Sequence, residues 1–242
     1  MVRPESGWPD VGNRRVPLDS PSSVAMVQHV VVIEVYADIW CPFAHVGLGA
    51  VVRRRDQLGR SDVGLRVLAW PLELVNGTPL DPKATAEHVR VLRTQVAPDL
   101  FTHFDPDHFP RTTLPALALV AAAYRRDDTT GEAVSLALRN ALFEYGHDIS
   151  HPDLLANMAI QHGVDAPTAD DEKAVSAQWH HGESLGVKGS PHFFCGDADA
   201  YCPSLDISKD ETGHLLLQRN LAVLDGFLLE CFKVSSRVGG AP

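Results

Sequence analysis

Positive charge is scarce in this sequence: 21 Lys and Arg stand against 31 Asp and Glu in 242 residues, a formal net charge of −10. Such a balance argues against a polyanion or an anionic lipid surface as the main partner, so neither nucleic acid nor membrane is expected. No apolar run approaches the ~20 residues needed to span a bilayer. Only four cysteines are present, too few for a scaffold built on disulfides. Residues 1–28 contain no apolar stretch of the kind a secretory signal needs, and with so few cysteines a reducing cytoplasm is the expected compartment. These residues hold Pro4, Pro9, Pro17 and Pro21 among scattered Gly, Ser and charge. They read as a disordered leader, or as sequence upstream of a start near Met26. Internal repeats are also missing. What remains, at 45% hydrophobic residues, is enough to bury the core of one large domain, or of a domain with an insert.

The most informative residue is Cys41. The run Val31-Val32-Ile33-Glu34-Val35-Tyr36-Ala37 reads as a β-branched strand, and Asp38-Ile39-Trp40 as the turn after it. Cys41-Pro42 then opens a helix that continues through Val46, Leu48, Val51 and Val52 to Gly59. Pro42 fits the first helical turn because its missing N–H would be unbonded there. Cys41 is thus an N-cap, where free backbone N–H groups and the helix dipole favour an anion. Its thiol is expected to titrate below the ~8.5 of free cysteine and to be the most reactive of the four. Trp40 and Phe43 would border it with aromatic surface, and ordinary packing accounts for them equally well. His45, four residues on, shares its helix face, and two readings stand: a group that holds the thiolate, or a half-buried histidine filling the first turn. The fourth position of the motif is Ala44, so a Cys-x-x-Cys dithiol is absent. Cys41 can still form a mixed disulfide, which another thiol must then resolve.

Downstream, Leu185-Gly186-Val187-Lys188-Gly189-Ser190-Pro191 bends into the apolar strand His192-Phe193-Phe194. Proline is tolerated at a strand's first residue, and X-Pro is the place where a cis peptide is cheap. Cys195 and Cys202 flank Gly196–Tyr201, read as a hairpin tip. A turn centred on Ala198-Asp199 would set them opposite each other, as a second redox pair, a structural disulfide or two unpaired thiols. Cys195, ~13 Å along the strand from Pro191, and its hairpin partner are not expected to resolve Cys41. Thr102-His103-Phe104-Asp105-Pro106-Asp107-His108 approaches a zinc-hydrolase pattern, but Asp105 stands where a histidine is required. It reads as a loop, with no metal.

Strand–Cys-Pro-x-x–helix together with Gly-Val-x-Gly-Ser-Pro before a late strand resembles the thioredoxin-fold proteins of the DsbA group. The run Leu138-Arg139-Asn140-Ala141-Leu142-Phe143-Glu144-Tyr145-Gly146-His147-Asp148-Ile149-Ser150 with Pro152-Asp153-Leu154-Leu155 is similar to the helical insert of the FrnE-like branch. That branch sits near the 2-hydroxychromene-2-carboxylate isomerases and kappa-class glutathione transferases. The resemblance spans about residues 30–232. It implies an α/β, thioredoxin-like fold with an all-helical insertion, a redox-active Cys41, and a cis Pro191 that positions substrate. Pro42, Phe43 and Ser190 would help bind it.

The elements fit that outline. Leu65–Trp70 reads as a second strand; Ala86–Val96, Leu114–Arg125, Glu132–Tyr145, Pro152–His162 and Ala169–Leu185 read as helices. Ser150 with Asp153 is expected to cap the fourth of these and Gly163 to stop it. Leu215–Phe232 reads as a final amphipathic helix. The expected organisation is a discontinuous core, 29–78 and 180–233, a helical insertion over 79–179, and a flexible tail at 234–242.

The activity these readings converge on is a cytosolic thiol–disulfide oxidoreductase of monothiol type. Its partners would be a small-molecule thiol or disulfide, or a peptide disulfide. Glutathione or another low-molecular-weight thiol would resolve Cys41, with no tightly bound cofactor, and a homodimer is one open state. The alternatives are an isomerase or transferase acting on an electrophilic carbon, and a non-catalytic peptide-binding fold.

Overall fold

The computed structural model describes residues 31–238. The leader assigned to residues 1–28 therefore lies outside the described residues. Strand β1 (Val31–Ala37) leads into helix α1 (Pro42–Gln57), and β2 (Val63–Ala69) follows. β1 and β2 are parallel, with Val35 beside Val67. Helices α2 (Leu72–Val75), α3 (Pro82–Gln95), α4 (Leu114–Arg126), α5 (Asp128–Phe143), α6 (Pro152–His162) and α7 (Ala169–Ser184) come next, before the chain returns as β3 (His192–Cys195) and β4 (Ala198–Tyr201). β3 is antiparallel to β1, with Phe193 opposite Val35, and the sheet order is β2-β1-β3-β4. A separate hairpin, β5 (Leu205–Lys209) with β6 (Leu215–Arg219), precedes α8 (Leu221–Val238). This is the α/β thioredoxin-like architecture with added helices that the sequence implies.

β1 is central, and its near-continuous apolar run follows from burial on both faces. Ile33 and Val35 are in the core with Leu48 and Val51 of α1 and with Leu224, Phe227, Leu228 and Cys231 of α8. Tyr36 faces the opposite side, edge-on to Trp70 and Phe194 at 6.4 and 5.8 Å. The outer edge of β2 would expose unpaired backbone groups, an invitation to further strands. Side chains of the intervening helices close it. Tyr124 Oη accepts from Val67 N at 2.7 Å and donates to Leu65 O at 2.9 Å. Glu132 accepts from Leu65 N at 2.7 Å, and Gln178 accepts from Ala69 N at 2.8 Å.

Helix α7 closes the Tyr36 face at Gly182. A Cβ there would lie 2.8 Å from Trp70 and 2.9 Å from Tyr36, both buried rings with no room to retreat. Gly182→Ala is expected to destabilise the fold by about 1–3 kcal/mol. A lowered urea midpoint at unchanged slope would register it; an unchanged midpoint would show that α7 packs more loosely than this.

Several boundaries differ from the sequence reading. Leu215–Arg219 is a strand, because Thr212-Gly213 (Gly213 φ +87°) makes a hairpin turn closed by Asp210. The amphipathic helix starts only at Leu221 and runs to Val238, into the segment expected as a tail. His151, not Ser150, caps α6: its Nδ1 accepts from Asp153 N, while Ser150 bonds Asp148. Gly163 does end that helix, in the left-handed conformation.

Candidate active site

β1 ends in a turn in which Cys41 N reaches Asp38 O, and α1 begins at Pro42 with Cys41 as its N-cap. The Ser190–Pro191 peptide is cis. Cys41 Sγ donates to Ser190 O at 3.1 Å, and Asp38 N donates to Ser190 Oγ at 3.0 Å. A single residue, Ser190, thus ties down both the thiol and the turn that carries it. Gly47 lets the two segments meet, since its missing Cβ would lie 3.1 Å from Pro191 Cγ. Cys41, Pro42, Ser190 and Pro191 are therefore gathered in one place. Phe43 is half-buried and leans on His88, with ring centroids 5.4 Å apart.

Cys41 does not titrate as its N-cap position suggests. Burial pushes its thiol above the ordinary cysteine value. The Ser190 hydroxyl and the N–H groups of Ala44 and Phe43 pull it back, and the Asp38 charge adds to the rise. The sequence shows the helix dipole but not the 5% exposure of the sulfur's residue, and desolvation outweighs the dipole.

His45 is the second correction. Its Nε2 is 2.7 Å from Glu144 Oε1, and its ring lies against Phe101 and Phe143 at 5.3 and 5.0 Å. The ring points into the helical insert; His45 meets Cys41 only through the backbone, its N donating to Cys41 O at 3.1 Å, and none of the described contacts of the ring is with Cys41. Burial pulls its pKa down against the opposing pull of Glu144. Glu144 also accepts from Phe101 N and Thr102 N. These bonds, with that from His45, overcome the effect of burial and hold the carboxyl at about 2. A neutral histidine hydrogen-bonded to a carboxylate thus fastens α1 to the end of α5.

The third correction concerns Cys195 and Cys202. The hairpin turn falls at Gly196-Asp197, so Cys195 pairs with Ala198 and His192 with Tyr201. All four cysteines are free. Cys195 is hydrogen-bonded to Cys231 of α8, not to Cys202. Cys202 instead lies alongside Pro191, its N donating to Pro191 O at 3.1 Å. The Asp105 loop is a single 3-10 turn, in which Asp105 accepts from Asp107 N and pairs with His108.

Two residues that sequence reasoning passed over, Asp38 and Arg139, also belong here. Asp38 is wholly buried; its Oδ2 accepts from Leu72 N at 2.6 Å, and burial raises its pKa to about 6. Arg139 of α5 is equally buried, its three guanidinium nitrogens make no hydrogen bond, and burial lowers its pKa to about 10. The charges of Asp38 and Cys41 both act on it. The available signal was a charged residue inside an apolar periodic run: Arg139 follows Leu138 on the inner stripe of its helix.

The pH dependence follows with a definite sign. Above about pH 6 Asp38 is ionised, and its negative charge opposes formation of a second one at Cys41. The alkylation midpoint of Cys41 is expected above the ~8.5 of free cysteine. Asp38→Asn, which keeps an acceptor for Leu72, should move it down. Iodoacetamide rates with peptide mapping between pH 6 and 10 measure both. A midpoint below that of free cysteine in the wild type, or no shift in the variant, would overturn this account.

A family model described as a DSBA-like thioredoxin domain matches residues 32–209. Among solved structures, a candidate protein disulfide isomerase from Nitrosomonas europaea superposes with a TM-score of 0.60 at 16% identity, over 84% of this chain and 98% of that one. A 2-hydroxychromene-2-carboxylate isomerase superposes with a TM-score of 0.52 at 17% identity, over 70% and 88%. At such identities the likeness is one of fold. No curated protein matches the chain. Among the described residues, no helix is long and apolar enough to cross a membrane.

Proposed function

The chain belongs to the DSBA-like thioredoxin domain family, and from that premise we propose a thiol–disulfide oxidoreductase whose nucleophile is Cys41 and whose exchange proceeds without a Cys-x-x-Cys pair. One observation carries this reading: Cys41 Sγ lies 3.1 Å from the carbonyl of the cis Ser190–Pro191 peptide, with the N–H groups of Phe43 and Ala44 facing the sulfur. At rest the sulfur is a thiol donating to Ser190 O. When a disulfide displaces that bond, the two N–H groups and the Ser190 hydroxyl stabilise the thiolate that attacks. Pro42, Phe43 and Pro191 would shape the surface the substrate meets.

The substrate is a small-molecule or peptide disulfide, and a low-molecular-weight thiol such as glutathione returns the protein to its reduced form. A reducing cytoplasm suits that cycle, and no tightly bound cofactor is needed for it. A second reading, an isomerase or transferase that uses Cys41 or a thiol held near it against an electrophilic carbon, is favoured by Ala44 standing where a second cysteine would be. Glutathione-linked peptide disulfides and chromene-type electrophiles should be assayed side by side. The oxidoreductase reading expects turnover of the disulfide alone, and turnover of the electrophile alone would replace it with the second.

A further inference from the structure

The structure brings a second cysteine to the Ser190–Pro191 peptide. Cys41 approaches it from the start of α1, with Sγ on Ser190 O at 3.1 Å, and Cys202 from the end of β4, with its N on Pro191 O at 3.1 Å. The two cysteines flank consecutive carbonyls of one dipeptide. The tight turn at Gly196-Asp197 makes this happen, because it returns β4 to the mouth of the strand it left. Just past Tyr201 the chain takes a left-handed conformation at Cys202, φ +46°, which an L side chain seldom adopts. It then passes Ser204 against α1. The absent Cβ of Gly47 would meet both Pro191 Cγ at 3.1 Å and Ser204 Oγ at 3.8 Å. Cys202 is buried, free and not engaged with Cys195, whose partner is Cys231.

We propose that Cys202 is the resolving thiol for Cys41, taking the role that the missing fourth-position cysteine would fill. This rests on Cys41 being the nucleophile of disulfide exchange. In the first step the Cys41 thiolate attacks one sulfur of a substrate disulfide. A bond forms between Cys41 and that sulfur, and the other half leaves as a thiolate that takes up a proton. In the second step Cys202, losing its proton, attacks Cys41 Sγ. The bond to the substrate sulfur breaks, the second substrate thiol leaves, and a Cys41–Cys202 disulfide remains. The substrate has gained the two electrons that the two cysteines lost, and two equivalents of a low-molecular-weight thiol restore them.

Burial above all, and then the charge Cys41 carries as a thiolate, hold the Cys202 thiol well above its ordinary pKa; bonding of Cys41 to substrate removes the lesser of these two effects.

The test uses the full chain and glutathione disulfide as the probe, with glutathione release and non-reducing peptide maps as readouts. Wild type is expected to release two glutathiones per chain and to yield a Cys41–Cys202 linked peptide. Cys202→Ser should release one and retain glutathione on Cys41. Retention of the adduct in wild type, or a Cys195–Cys231 link in place of the expected one, would overturn the assignment of Cys202 while leaving Cys41 as nucleophile. No adduct or link at Cys41 in either protein would instead sink the nucleophile reading, and the resolving role with it. Should Cys202→Ser fail to fold, the wild-type map alone decides.

Discussion

Cys41→Ser is expected to lower disulfide exchange by roughly a thousandfold or more, to the level of protein-free buffer. The hydroxyl that replaces the thiol does not attack disulfide sulfur at neutral pH, and none of the other three cysteines can take its place. Cys202 is buried and in the proposed sequence attacks only a sulfur already bonded to Cys41, and Cys195 and Cys231 engage each other between β3 and α8, away from the Ser190–Pro191 peptide. Removing that distant pair, as Cys195→Ser with Cys231→Ala, should leave exchange within about twofold of wild type once stability is matched. Initial rates of glutathione release from a mixed-disulfide peptide give the comparison. Residual exchange in Cys41→Ser above a tenth of wild type would assign the chemistry to another residue.

The location of this site was written locally in the sequence, whereas its electrostatics were not. A β-branched run, a three-residue turn and Cys-Pro at a helix start are all readable within a dozen residues. They set Cys41 where the structure has it, as an N-cap beside Pro42. Its pKa depends on how much protein lies over it, and part of that cover comes from Ser190, 149 residues later in the chain. His45 shows the same division. Helical spacing gave its position, but Glu144, 99 residues away, decides where the ring points. For Cys202 the deciding detail was smaller still. Moving the hairpin turn from Ala198-Asp199 to Gly196-Asp197 changes the partner of Cys202 from Cys195 to Pro191. Gly196, at φ +59°, supplies the conformation that the tighter turn needs, and glycine followed by Asp was the visible cue. Leu215-Leu216-Leu217 misled for a related reason: three leucines suit a helix stripe or a strand equally well, and Gly213 just before them marks the turn.

Ala44→Cys is expected to convert the protein into a dithiol oxidoreductase. Position 44 is on the first turn of α1, three residues from Cys41. That spacing puts the two Cα atoms about 5–6 Å apart, within the range a disulfide spans. The backbone N–H at 44 already faces the Cys41 sulfur, and the Ala44 side chain is wholly buried in the same cluster of core residues as Cys41. The added sulfur therefore enters a packed site, at a cost of about 1–3 kcal/mol. Stability should fall slightly in the reduced form and recover on oxidation. The introduced thiol would lie on the same rigid turn as its target, whereas Cys202 must reach Cys41 past the cis peptide. The internal bond of the variant should thus map predominantly between Cys41 and position 44, and insulin reduction with dithiothreitol as the only added thiol should rise about tenfold or more. The substitution also separates the roles of the two resolving positions. Placed on Cys202→Ser, it should restore release of the second glutathione. A variant that still accumulates glutathione on Cys41 would show that the helix start does not hold position 44 within reach, and that only Cys202 or an external thiol can resolve this site.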